Sequence, residues 1–75
     1  MNYWDWIVLS HDEQDDAVLA ALQSLEPAAS SDIGAFILGA ITYPNARVGP
    51  SLARLRRAGR VVCVAGKYQR SPEGR

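Results

Sequence analysis

The sequence predicts a small α+β domain, three helices followed by a β-hairpin with an extended aromatic arm in front. Three observations carry that expectation. Apolar residues recur at helical spacing in three successive stretches: Val18, Leu22 and Leu25; Ile33, Phe36, Ile37 and Ile41; and Val48, Leu52 and Leu55. After the last stretch come Gly59 and the β-branched run Val61-Val62-Cys63-Val64, which Ala65-Gly66 can turn back into Lys67-Tyr68-Gln69-Arg70. Finally, 75 residues hold only one core, so nearly every apolar face must be used and a large active-site cavity is not expected.

Residues 1–9 read MNYWDWIVL. As a strand, this segment puts Trp4, Trp6 and Val8 on one side and Tyr3, Ile7 and Leu9 on the other, so both faces are apolar. It is expected as an arm or strand ahead of a domain spanning residues 10–75. Two roles fit it: an extra strand on the core, since tryptophans are large contributors to burial, or a docking arm in which Tyr3, Trp4 and Trp6 anchor a homodimer or a partner protein.

Ser10 followed by Glu13 has the spacing of a reciprocal capping box, and Asp12, Asp15 and Asp16 suit the positive end of a helix dipole. The first helix therefore starts here, presents Val18, Leu22 and Leu25 to the core, and stops before Pro27. Ser30 or Ser31 then caps a second helix of about residues 31–40, in which Gly34 and Gly39 predict close packing against a neighbour. TYPNAR, residues 42–47, reads as a turn with Pro44-Asn45 as its strongest breaker.

The third helix carries the most informative pattern. Val48, Leu52 and Leu55 form one stripe, while Pro50, Ala53, Arg54 and Arg57 are expected on the far side. Placing Pro50 in the first turn, where a missing N–H costs nothing, predicts a start near Arg47 to Gly49 and an end at Ala58, with Gly59 as a left-handed cap. Arg56 and Arg60 are expected to point sideways. One shared set, Val18, Leu22, Ile33, Ile37, Leu52, Leu55 and Val62, is expected as the core.

The formal net charge of zero conceals a division along the chain. Before Arg47 there are Asp5, Asp12, Glu13, Asp15, Asp16, Glu26 and Asp32 and neither lysine nor arginine; from Arg47 onward there are Arg47, Arg54, Arg56, Arg57, Arg60, Lys67, Arg70 and Arg75 against Glu73 alone. Two solvated faces that attract each other would account for this division. Arginines at regular spacing on one helix point instead to a surface that meets phosphate.

Helix, helix, basic helix and hairpin, in that order over about His11 to Arg75, resembles the winged helix-turn-helix family of DNA-binding domains. The likeness rests on Val48-x-x-Ser51-Leu52-x-x-Leu55-x-x-x-Gly59-x-Val61, similar to a recognition helix leading into a wing. It rests also on residues 68–75, YQRSPEGR, similar to the second wing strand and following turn of bacterial members. The resemblance implies a transcriptional regulator or phage-type repressor that binds double-stranded DNA, with residues 47–58 in the major groove and the wing, residues 61–70, on the backbone. Arg47, Pro50, Ser51, Arg54, Arg57, Lys67 and Arg70 would then be the DNA-binding residues, and two copies would bind together because one module touches few bases. The chain departs from the pattern in a longer loop, Gly39 to Arg47, in Pro50 at the base-reading end, and in an uncharged first wing strand. The competing expectation is a winged-helix docking module, a phage or plasmid protein that engages a host transcription factor or polymerase and does not itself read DNA.

Other classes find little in the residues. There is no Gly-rich phosphate loop, nucleophile elbow or histidine pair, so neither catalysis nor a cofactor is expected. His11 stands alone at a helix start, and Asp12, Asp15 and Asp16 lack the alternation and downstream glutamate of a calcium loop, so no metal site is expected. Cys63, the single cysteine, alternates with valines as a small apolar residue. Met1 to Leu9 lacks the basic flank of a signal peptide, and no apolar run approaches the ~20 residues that span a bilayer, so a soluble, cytoplasmic protein is expected; with the resemblance, that means one associated with the nucleoid or lying in a host cell's cytoplasm. Ser71-Pro72-Glu73 has the form of one more helix start, with frayed residues after it.

Overall fold

A computed structural model describes residues 1–72. Four helices precede a two-stranded antiparallel hairpin: α1 Tyr3–Ile7, α2 His11–Leu25, α3 Ser30–Leu38, α4 Pro44–Arg57, β1 Val61–Val64 and β2 Lys67–Arg70. The chain is thus α+β, with the helices first and the hairpin last. Of the Ser71-Pro72-Glu73 start, Ser71 is buried and its N–H donates to the Arg60 carbonyl at 2.9 Å, while Glu73 and the residues after it lie outside the described residues.

The aromatic arm is a helix and not a strand. Asn2 caps it, its side chain accepting the Asp5 N–H at 2.9 Å. Helical spacing then sends Tyr3 and Trp6 inward together and leaves Trp4, Ile7 and Val8 outside, which strand alternation would not do. Trp6 is buried in the core; its indole N–H donates to the Arg47 carbonyl at 3.2 Å, and the Gln14 side chain donates to the Trp6 carbonyl at 2.9 Å. The short helix is therefore held by α2 and α4 rather than by its own propensity, since five residues alone would not stay helical.

In α2 the capping box forms as its spacing predicts: the Glu13 N–H donates to the Ser10 hydroxyl at 3.1 Å and the Ser10 N–H to the Glu13 carboxylate at 2.9 Å. Gly34 in α3 lies where the first turn of α4 crosses, and a Cβ there would overlap the Pro44 carbonyl group, so only glycine permits this approach. At Gly39, with φ +72°, the chain leaves the helix.

Helix α4 begins earlier than expected. Pro44 and not Pro50 occupies its first turn, so Pro44-Asn45-Ala46-Arg47 is helix and not turn, and the connection from α3 shrinks to residues 39–43. Pro50 sits inside the helix on its exposed side, where it has no N–H to give the Ala46 carbonyl. The end is as expected. Gly59, at φ +74°, donates to the Arg56 carbonyl at 3.0 Å, and Arg60 donates to the Leu55 carbonyl at 2.9 Å, the paired bonds of a Schellman motif.

In the hairpin, Val61 pairs with Arg70 and Val64 with Lys67 across the Ala65-Gly66 turn, both of whose residues have positive φ, 54° and 79°. A single bridge adds Ala28 to the outer edge: the Tyr68 N–H donates to the Ala28 carbonyl at 2.7 Å, and the Ala28 N–H to the Tyr68 carbonyl at 3.0 Å. The hairpin is thereby fixed to the segment between α2 and α3. The core is Trp6, Val18, Ala21, Leu22, Ala28, Ile33, Leu38, Val48, Leu52, Leu55 and Val61. Val61 rather than Val62 faces inward, and Ile37 is only half-buried at its margin.

Candidate nucleic-acid interface

The expected DNA-binding residues do not lie on one surface. Arg54 turns toward α2, not to the far side of α4. Its guanidinium meets the Asp15 carboxylate at 2.8 Å and the Gln14 side-chain carbonyl at 3.2 Å. The Ser51 hydroxyl, buried beneath, donates to the same carboxylate. Arg70 is held likewise, its guanidinium 2.8 Å from the Glu26 carboxylate, which also accepts the Arg70 N–H at 2.8 Å. Both pairs are mostly withdrawn from solvent, with Arg54 and Arg70 side chains 22% and 24% exposed.

These pairings show in the proton equilibria. Burial alone would push the Asp15 carboxyl up, but the hydrogen bonds from Arg54 and Ser51, with the charges of Arg54 and His11, outweigh it and hold the group below the usual carboxylate range. The hydrogen bonds that Arg70 donates to the Glu26 carboxylate raise it further above its already high ordinary value. At the other end of α2, the Ser10 N–H and hydroxyl lower the Glu13 carboxyl.

Arg47 is the third cation turned inward. Its guanidinium lies over the Tyr3 ring, 4.5 Å from the centroid, and also donates to the Tyr3 hydroxyl at 3.3 Å. Its Nε is buried with no hydrogen-bond partner. Of the expected arm anchors, Tyr3 and Trp6 are therefore committed within the chain, and Trp4 alone is open, 73% exposed.

What remains outside is a different basic set. Arg56, Arg57, Arg60 and Lys67 are exposed and have no ion pair among the described residues. Ala53, Arg56 and Arg57 line a shallow open depression at the C-terminal half of α4; Arg60 follows the Gly59 cap, and Lys67 stands beside the hairpin turn. Toward its start, the outer face of α4 carries Asn45, Ala46, Pro50 and Ala53, all exposed. Arg57 and Lys67 are the two residues of the expected set that stand exposed and cationic; Pro50 is exposed but apolar. Arg56 and Arg60, expected only to point sideways, stand exposed with them at and just beyond the end of α4.

Among the described residues no group of His, Cys, Asp or Glu is arranged to hold a metal, and no helix is long and apolar enough to cross a membrane. Cys63 is half-buried in β1 as a free thiol. No family model matches the chain, and no curated protein or solved structure matches it either.

Proposed function

We propose that the chain is a winged helix-turn-helix domain that binds duplex DNA through the C-terminal half of α4 and the tip of the hairpin. The observation that carries the reading is the sorting of the cations: Arg47, Arg54 and Arg70 are neutralised or stacked inside the fold, while Arg56, Arg57, Arg60 and Lys67 stay exposed without an ion pair among the described residues. Arginines at a helix C-terminus also complement its dipole, which one or two of them would satisfy. Three in succession along Arg56, Arg57 and Arg60, with Lys67 on the hairpin, supply the phosphate-neutralising charge that dominates DNA affinity. The order α2, α3, α4, hairpin agrees with a winged helix, α4 being the recognition helix and α1 an addition in front.

The outer face of α4 limits what could be read. An α-helix fits the major groove, but Ala46, Pro50 and Ala53 offer a base edge no hydrogen-bonding side chain, so Asn45, Arg56 and Arg57 remain as readers. Binding in this account is mainly to phosphate and only modestly selective for sequence. Titrating random-sequence duplex at low and moderate salt tests it. A steep loss of affinity with salt, at a slope set by about three or four phosphate contacts, supports the reading. Little binding at either salt supports the docking module instead, a reading favoured by the apolar outer face of α1.

A further inference from the structure

We infer that the outer face of α1 is a self-association surface, on which a second copy of this chain docks about a two-fold axis. Trp4 and Val8 stand one helical turn apart on the side of α1 away from Tyr3 and Trp6, with Met1 a turn earlier and Ile7 on the flank between Trp4 and Tyr3; the exposures of Trp4, Ile7, Val8 and Met1 are 73%, 43%, 79% and 55%. The helix is held firmly: the Met1 amine donates to the Ile37 carbonyl at 3.1 Å, Trp6 fills the core, and the Arg47 guanidinium covers Tyr3. The apolar face is therefore a fixed relief and not a loose tail that could fold its side chains away.

Area selects the occupant. An exposed tryptophan contributes up to roughly 200 Å² and the three aliphatic side chains less, so the face presents on the order of 500 Å². For one small face that is at the upper end of what a monomer leaves to water, where the largest apolar patch is about 300–600 Å². Two such faces set against each other bury about 1,000 Å² in total, the lower bound of a specific interface. Self-pairing reaches that bound with no further surface, and a closed two-fold contact uses the same patch on both copies. Asp5, exposed on the same helix, is the one charged side chain of α1, so the face is mainly apolar. The patch also lies near the start of α4, where Trp6 reaches Arg47, about 14 Å along the helix from Arg56 and Arg57. Pairing through α1 would leave both basic ends open, and it does not depend on what those ends bind.

Sedimentation equilibrium of the intact protein over a range from low to high micromolar concentration tests the inference, beside Trp4→Ser and Val8→Asp. Expected is a mass that rises from monomer to dimer and stops there, with each variant weakening the dimer at least tenfold while melting as the parent does. Two variants on one face keep the test alive if either fails to fold. A monomer throughout, a dimer indifferent to both substitutions, or growth beyond dimer that high salt abolishes would overturn it; the last would mark pairing of acidic with basic faces.

Discussion

Arg54 and Asp15, 39 positions apart in the chain, form a clamp between α4 and α2, their charged groups 2.8 Å apart and their side chains 22% and 14% exposed. Replacing Arg54 by methionine keeps the apolar stem and leaves Asp15 and the Ser51 hydroxyl facing each other with no cation between α2 and α4. A fully buried pair broken in this way costs about 3–5 kcal/mol, and partial exposure lowers the expectation here to about 2 kcal/mol. Urea unfolding of Arg54→Met against the parent measures it; a loss below about 0.5 kcal/mol would place the pair with ordinary surface salt bridges.

The same clamp sets a pH dependence. The folded Asp15 carboxyl titrates below its unfolded value of about 3.9, so the folded state binds its proton less readily than the unfolded chain. Its contribution is complete above that value and is lost as pH falls through the folded pKa. Glu13, lowered by Ser10, acts in the same sense. The melting temperature of the parent is expected to drop on acidification below about pH 4, and Arg54→Met, which lacks the Arg54 share of the Asp15 shift, to drop less steeply.

Gly34→Ala probes the crossing of α3 and α4. The new methyl group would lie 2.6 Å from the Pro44 carbonyl carbon, and a backbone group cannot swing aside as a side chain tip does. Although alanine is the better helix former by about 1 kcal/mol, the overlap is expected to win and destabilise the domain by about 2–3 kcal/mol. Thermal unfolding decides the sign.

At Pro50 the opposite result is expected. The residue is exposed and inside α4, so Pro50→Ala restores an N–H for the Ala46 carbonyl without disturbing the core. A gain of about 1–3 kcal/mol in chemical denaturation follows from the cost of proline in a helix interior. An unchanged or lower midpoint would mean that α4 is already bent to accommodate the ring.

Local chemistry made much of this fold legible in the sequence. Ser10 with Glu13, Gly59 before Arg60, and Ala65-Gly66 between two strands each specify a structure within a few residues, and each forms. The failures have physical reasons. Aromatic and β-branched residues favoured a strand for residues 1–9, while Asn2, a standard helix cap, carried the opposing signal. Pro50 in the first turn and Pro44 in a loop is the expected order, but Pro44 takes the first turn of α4, where it packs against Gly34 of another helix, a long-range contact. Val61 rather than Val62 faces the core because strand register follows from how the Gly59 turn delivers the chain.

The basic surface was only half legible for a related reason. A helical wheel divides one helix into an apolar stripe and its opposite, but α4 is covered by α2 as well as α3, so Arg54 falls against Asp15 and only the strip ending in Arg56 and Arg57 stays open. Neither the Asp15 nor the Glu26 pairing can be deduced from spacing, since their partners lie far along the chain.

Binding of duplex DNA by the end of α4 and the hairpin tip is read most directly by an amide chemical-shift titration of the labelled protein with a short random-sequence duplex at low salt. Expected are progressive shifts concentrated at Ala53, Arg56, Arg57, Arg60 and Lys67, reversed by added salt, with Arg54 and Arg70 little moved in their ion pairs. Shifts absent at all of these residues, or confined to α1, would contradict it.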